Sequence, residues 1–303
     1  MRWAVVMKAD TTRCAVLPVL LAIPFIFGCS THPAPKAMQV TEVTLYGDMD
    51  CFKIETAGAI YLYGKRGAGF ASILDRGGHD WIAYRHGGKA LGEYRGLPKC
   101  GQPVKFFHCG YGFGQYTNEN WFTSRVTARE PRHIRIESET RQGDSACAWD
   151  FFPSHATLTL YRIGATNFWF LYEGAPGGEL HVNEDFVLRP GNRLTPLSEP
   201  WEDNVEWVCF TSHASTQGFF CISHEAANRS ASYVAWPYKP ESDGALNQMT
   251  VFGFGRLPWT DPKQHQPQLR HLPARFSIGF TESTNTDAAT ECIKNIRPAK
   301  LVD

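Results

Sequence analysis

Apolar and polar residues alternate along most of the chain with a period near two, not 3.6. The alternation predicts strands at Cys51–Thr56, Ile60–Tyr63, Gly69–Leu74, Val104–His108, Trp121–Arg129, His133–Glu139, Ala146–Phe152 and Ala156–Ile163. Further strands are predicted at Asn167–Glu173, Asp185–Arg189, Glu206–Thr211, Gly218–His224, Met249–Arg256 and Arg275–Thr281. Turn signals such as Arg76-Gly77-Gly78, Pro176-Gly177-Gly178 and Pro190-Gly191-Asn192 separate them. Helical spacing is confined to Ala289, Cys292, Ile293 and Ile296, with Thr286 or Asp287 as the expected N-cap. The expected fold is all-β: a large antiparallel sandwich with a short helix packed outside it at the C-terminus.

Alternation also assigns faces. In Trp121–Glu139, Val126, Ala128, Ile134 and Ile136 should point inward, and Arg125, Arg129, Arg135, Glu137 and Glu139 outward. In the segment from His155, Ala156, Leu158 and Leu160 share one face, while His155, Thr157 and Thr159 share the other. The glycine-rich Gly64–Gly69 lies between two strand-like runs and reads as a hairpin turn, not a phosphate cradle.

The N-terminus departs from the pattern. Arg2, Lys8 and Arg13 precede an apolar run from Ala15 to Phe27, shorter than the roughly 20 residues of a membrane-spanning helix. The run ends in Ile26-Phe27-Gly28-Cys29, which resembles a bacterial lipoprotein box with Cys29 as the lipidated residue. Residues 1–29 are therefore expected to be a signal peptide, 30–49 a tether and 50–303 one domain. The expected location is the bacterial cell envelope, as an outer-membrane lipoprotein, or outside the cell. Seven cysteines follow Cys29, and Cys209 with Cys221 is the best disulfide pair if their hairpin turns at 214–215; Cys100 with Cys109 is weaker.

Composition narrows the function. The 303 residues carry 30 basic and 30 acidic side chains, which argues against a nucleic-acid binder. A 43% apolar content excludes disorder as the main state. There is no Gly-x-Ser-x-Gly elbow, Walker loop, dinucleotide fingerprint, HExxH or zinc-type cysteine spacing. No cofactor is expected. Glu199, Glu202, Asp203, Asn204 and Glu206 are weighed as a calcium site but lack EF-hand spacing.

What remains are polar islands at strand ends. Glu93, Tyr94 and Arg95 sit in a loop between glycines, and an arginine there suits two-point contact with a carboxylate. His108 ends a strand beside Tyr111; His155 heads a polar strand face; neutral imidazoles can take a proton near pH 7. Tyr172 and Glu173, His224, Tyr233 and Trp236, and Arg256 complete the candidates, the aromatics as a wall for sugar rings.

The strings GFASILDRGGHDWIAY, GEYRGLP, FFHCG, FFPSHATLTL, FLYEGAPGG and MTVFGFGR, within residues 50 to 283, resemble exported bacterial carbohydrate-active β-sandwich proteins of polysaccharide-lyase-like or galactose-mutarotase-like type. The resemblance implies a mutarotase-like supersandwich or jelly roll, and a polysaccharide or oligosaccharide partner. Under the leading reading, a lyase cleaves a uronate-containing glycan by β-elimination. Arg95, helped by Arg256, holds the carboxylate; His108 or His155 is the base; Tyr94, Tyr111 or Tyr172 is the acid. A hydrolase using two of Glu93, Asp150 and Glu173 is one alternative. The others are a sugar epimerase and a non-catalytic glycan-binding lipoprotein.

Overall fold

The computed structural model describes residues 37–46, 49–84, 95–100, 121–226, 229–236, 248–256 and 267–296. Its first meander is β1 (Gln39–Leu45), β2 (Met49–Glu55), β3 (Ile60–Gly64) and β4 (Gly69–Leu74), followed by β5 (Gly96–Lys99). The second is β6 (Phe122–Glu130), β7 (His133–Thr140), β8 (Ala146–Phe151) and β9 (His155–Arg162). Then come β10 (Phe170–Gly174), the hairpin β11 (Phe186–Arg189) and β12 (Arg193–Pro196), and β13 (Trp201–Asn204). The last strands are β14 (Trp207–Thr211), β15 (Gly218–Ser223), β16 (Ser230–Trp236), β17 (Met249–Phe254) and β18 (Ala274–Phe280), before helix α1 (Thr286–Lys294).

These strands form two nine-stranded sheets with antiparallel pairing throughout. The first has the order β1-β2-β3-β4-β5-β10-β17-β16-β13; the second is β12-β11-β14-β15-β18-β9-β8-β7-β6. Aromatic side chains from the two inner faces meet. Phe70 of the first sheet lies edge-on to Trp149 of the second at 4.7 Å, and Phe170 stacks on Phe276 at 4.5 Å. Phe210 and Phe252 close a third contact at 5.5 Å, and all six are buried. Much of the high aromatic content thus fills the layer between sheets, where ring pairs add about 0.5–1.5 kcal/mol each beyond their buried area.

The sandwich is as the period-two pattern predicts, and the outer helix is as the helical spacing predicts. Helix α1 buries Ala289 and Ile293 against Leu188, Trp207, Cys209, Phe220 and Ile222 on the outside of the second sheet. Its N-cap is Asn285, one residue before the expected position. The Asn285 Oδ1 accepts from the backbone N–H groups of Asp287 and Ala288, at 3.1 Å each. No helix among the described residues is long and apolar enough to cross a membrane.

Three expectations are corrected. Gln39–Leu45, inside the stretch read as a tether, is β1, paired along its length with β2. The acidic segment weighed for calcium contains β13, an edge strand anchored by buried Trp201. The proposed Cys209–Cys221 disulfide is absent. The β14–β15 register pairs Cys209 with Phe220 and Cys221 with Val208, one step off, so the two thiols emerge on opposite faces. Cys221 belongs to the main core and Cys209 lies under α1. Cys109 and the predicted strand Val104–His108 lie outside the described residues.

Candidate functional site

β10 organises the site because it is central in the first sheet. Its Phe170 and Tyr172 face the core, so Leu171 and Glu173 face outward by alternation. Glu173 pairs across the ladder with Val251 of β17 and Gly96 of β5; Leu171 pairs with Gly253 and Lys99. Lys99 Nζ lies 3.4 Å from Glu173 Oε2. Arg256, just past β17, folds back so that its Nη1 donates to Ser232 Oγ at 3.3 Å and to the Val251 carbonyl at 3.4 Å. Arg95, just before β5, reaches past β10 and donates to the Gln248 carbonyl at 3.4 Å.

The return of Arg256 depends on Gly253. A Cβ there would fall 2.2 Å from Leu171 Cδ2 and 3.2 Å from Arg256 Cβ. Glycine leaves room for both side chains over one strand.

Arg95, Lys99, Glu173 and Arg256 are each more than nine-tenths buried, at 4%, 8%, 4% and 3% exposure. Charged groups held this deep carry a large desolvation cost and are retained where paired or functional. Burial lowers the Arg256 guanidinium to about 10, with Glu173 opposing the shift, so it remains a cation at neutral pH. Beside the charges, Val234, Met249 and Val251 form a small apolar cluster, separate from the core, with Trp236 packed against it. Four candidates read from the sequence thus come together on one sheet: Arg95, Glu173, Arg256 and Trp236. Lys99 was not among them; its signal is a single cation inside the short run Gly96–Cys100.

Other candidates fall elsewhere. The Tyr172 hydroxyl donates to the Trp81 carbonyl at 2.6 Å, and the Tyr233 hydroxyl to the Leu197 carbonyl at 2.8 Å. Both phenols are buried in the layer between sheets, so neither acts as a groove-lining acid or sugar contact. Tyr233 instead stacks on Trp201 at 6.1 Å. His155 and His224 lie on the outer side of the second sheet. His224 Nε2 is 2.8 Å from Ser277 Oγ, which is 2.8 Å from Thr157 Oγ1. His155 stacks on Phe152 at 4.8 Å and hydrogen-bonds Ser154. The sandwich separates them from Arg95, so His155 cannot serve as the base for a carboxylate held there. Glu173 and Asp150 are likewise on different sheets, and Asp150 is engaged by His133 and Arg135, at 2.7 Å each. Those two carboxylates therefore do not form a hydrolase pair. Cys29, Glu93, Tyr94, His108 and Tyr111 lie outside the described residues.

At one end of the sandwich, two buried carboxylates clamp the β14–β15 loop. Asp75 accepts from Ser215 Oγ at 2.6 Å, and Asp185 accepts from the His213 backbone and lies 3.0 Å from its Nδ1. The hydrogen bond to Asp185 raises the His213 pKa. The acidic stretch near β13 is neutralised locally. Asp203 meets Arg189 at 2.9 Å and Arg193 at 2.6 Å, and Glu206 meets Arg229 at 3.4 Å. Among the described residues, no three His, Cys, Asp or Glu side chains are placed to hold a metal ion.

No protein-family model matches the chain, and no curated protein is significantly similar to it. Among solved structures, HI1317 superposes with a TM-score of 0.51 at 11% identity, over 80% of this chain and 99% of that one. YeaD from Salmonella typhimurium, described as a candidate mutarotase, gives 0.48 at 10% identity, over 81% and 95%. A galactose mutarotase-like protein from Clostridium acetobutylicum gives 0.44 at 8% identity, over 80% and 98%. At these identities the likeness is one of fold alone.

Proposed function

We propose that the outer face of the first sheet binds a carboxylate-bearing glycan and that the protein cleaves it by β-elimination. The observation that carries this reading is the placement of buried Arg95, Lys99, Glu173 and Arg256 on one sheet, with Lys99 3.4 Å from Glu173, beside the apolar cluster with Trp236. A guanidinium that hydrogen-bonds a uronate carboxylate draws charge from it and makes the neighbouring C5 proton more acidic. Arg256 and Arg95 take that role. Glu173 accepts sugar hydroxyls and holds Lys99 in place. Trp236 offers a ring face to the apolar side of a sugar. His108 and Tyr94, which flank β5 in the sequence, are assigned as base and acid. Lipidation at Cys29 would hold the domain at the cell envelope, where such glycans are met.

The test is ultraviolet absorbance of the unsaturated product, with the chain from Ser30 and a panel of uronate polysaccharides. A rise is expected. Arg256→Ala should lower kcat/KM about 10- to 100-fold, the loss of one or two charge-assisted hydrogen bonds. Arg256→Lys, which keeps the charge but not the fork, should lie between. If no panel member gives an absorbance rise or binds, the proposal fails. If a member binds but is not cleaved, only the elimination step fails.

A further inference from the structure

The second sheet carries a separate hollow on its outer face. β7 presents Glu137 and Glu139 outward, whereas the strand beside it presents only Ala146 and Ala148 at the paired positions. Tyr161 rises from β9 on the far side. Small residues between large ones leave an open cavity of about 300 Å³, lined chiefly by Thr123, Arg125, Arg135, Glu137, Glu139 and Tyr161. That volume is at the lower bound of small-molecule sites.

The lining is preorganised and charge-balanced. Arg135 donates to Asp150 at 2.7 Å and to Glu137 at 3.2 Å, and its Nη2 donates to the Tyr161 hydroxyl at 2.7 Å. Arg125 donates to Glu137 at 3.2 Å, and Arg162 to Glu139 at 2.5 Å. The phenol is fixed by this network, yet Tyr161 stays 37% exposed, one of few large apolar side chains so placed among the described residues. An anion would face Glu137 and Glu139; a cation would face the arginines. A neutral polyol meets donors and acceptors alternately, beside an aromatic face for its C–H groups.

We infer that this hollow is a second glycan site, which binds a neutral pyranose unit. It is built entirely from the second sheet and shares no residue with the Arg95–Glu173–Arg256 cluster, so either site can fail without the other.

The experiment is amide NMR of the chain from Ser30 with neutral gluco-, manno-, xylo- and galacto-oligosaccharides, and with oligogalacturonate as the acidic comparison. At least one neutral oligosaccharide should shift the amides of Glu137, Ala146 and Tyr161 and leave those of Lys99, Glu173 and Val251 in place. Tyr161→Ala should weaken that binding about tenfold or more. Ala146→Leu, which fills the hollow and removes no polar group, should do the same while leaving the oligogalacturonate response unchanged. The inference is overturned if no neutral oligosaccharide moves those amides. It is equally overturned if both variants bind as the parent does.

Discussion

Two imidazoles on the second sheet have been moved far from their solution behaviour by burial. His155 and His224 are both lowered from 6.5 to about 4; desolvation comes first in each, and Arg275 and His155 add to it for His224. Among the described residues, the buried His155 Nε2 atom has no hydrogen-bond partner, which fits a ring kept neutral. In the unfolded chain both titrate near 6.5. Between pH 6.5 and 4 the unfolded state therefore binds more protons, and stability falls as pH falls through that window. The slope is at most about 1.4 kcal/mol per pH unit for each group. The melting temperature should thus drop between pH 7 and 5, and the drop should shrink in His155→Gln/His224→Gln. Equal slopes in parent and variant would refute the assignment. The sequence shows His155 at the head of a polar strand face, and alternation orients that face correctly. It does not show that this face belongs to the other sheet from Arg95, because strand order is set by distant pairings such as Gly279 with His155 and Glu173 with Gly96.

The strands that alternation misses are those whose stability comes from neighbours more than from their own pattern. β5 contains Gly96 and Pro98, poor strand formers, yet it sits between β4 and β10. β13 is an acidic edge strand that reads as a loop until Trp201 is seen to anchor it. Helix α1, by contrast, is legible from spacing, because its buried stripe is a local feature, although its cap falls on Asn285, one residue before the expected position. Asn285→Ala should cost about 1 kcal/mol. The helix covers Cys209, and Cys292 lies on it, so thiol labelling should speed up first at those two cysteines in the variant. Uniform acceleration at Cys51, Cys147 and Cys221 as well would mean global rather than local opening.

At the scale of the molecule, each sheet is assembled from distant parts of the chain. β18 joins the β6–β9 meander to the half made by β11, β12, β14 and β15, and β17 joins β10 to β16 and β13. A chain ending at Thr284 lacks helix α1 but no strand among the described residues and should keep its fold, with Trp207 and Ile222 newly uncovered. A chain ending at Pro273 also lacks β18. It should lose the near-ultraviolet circular dichroism of packed aromatics, since Phe276 and Phe280 leave the core with it. Retention of that signal would show that the meander is stable alone.

The late position of these joining strands has a consequence in time. While the first 248 residues are being made, both sheets exist only as separate fragments with their edges bare. Such edges invite pairing with other chains, and topology dominated by distant contacts slows closure once the last strands arrive. The protein therefore completes both layers almost at once, when β17 and β18 emerge. A passage across a membrane that requires an unfolded chain would find it still open for most of that interval.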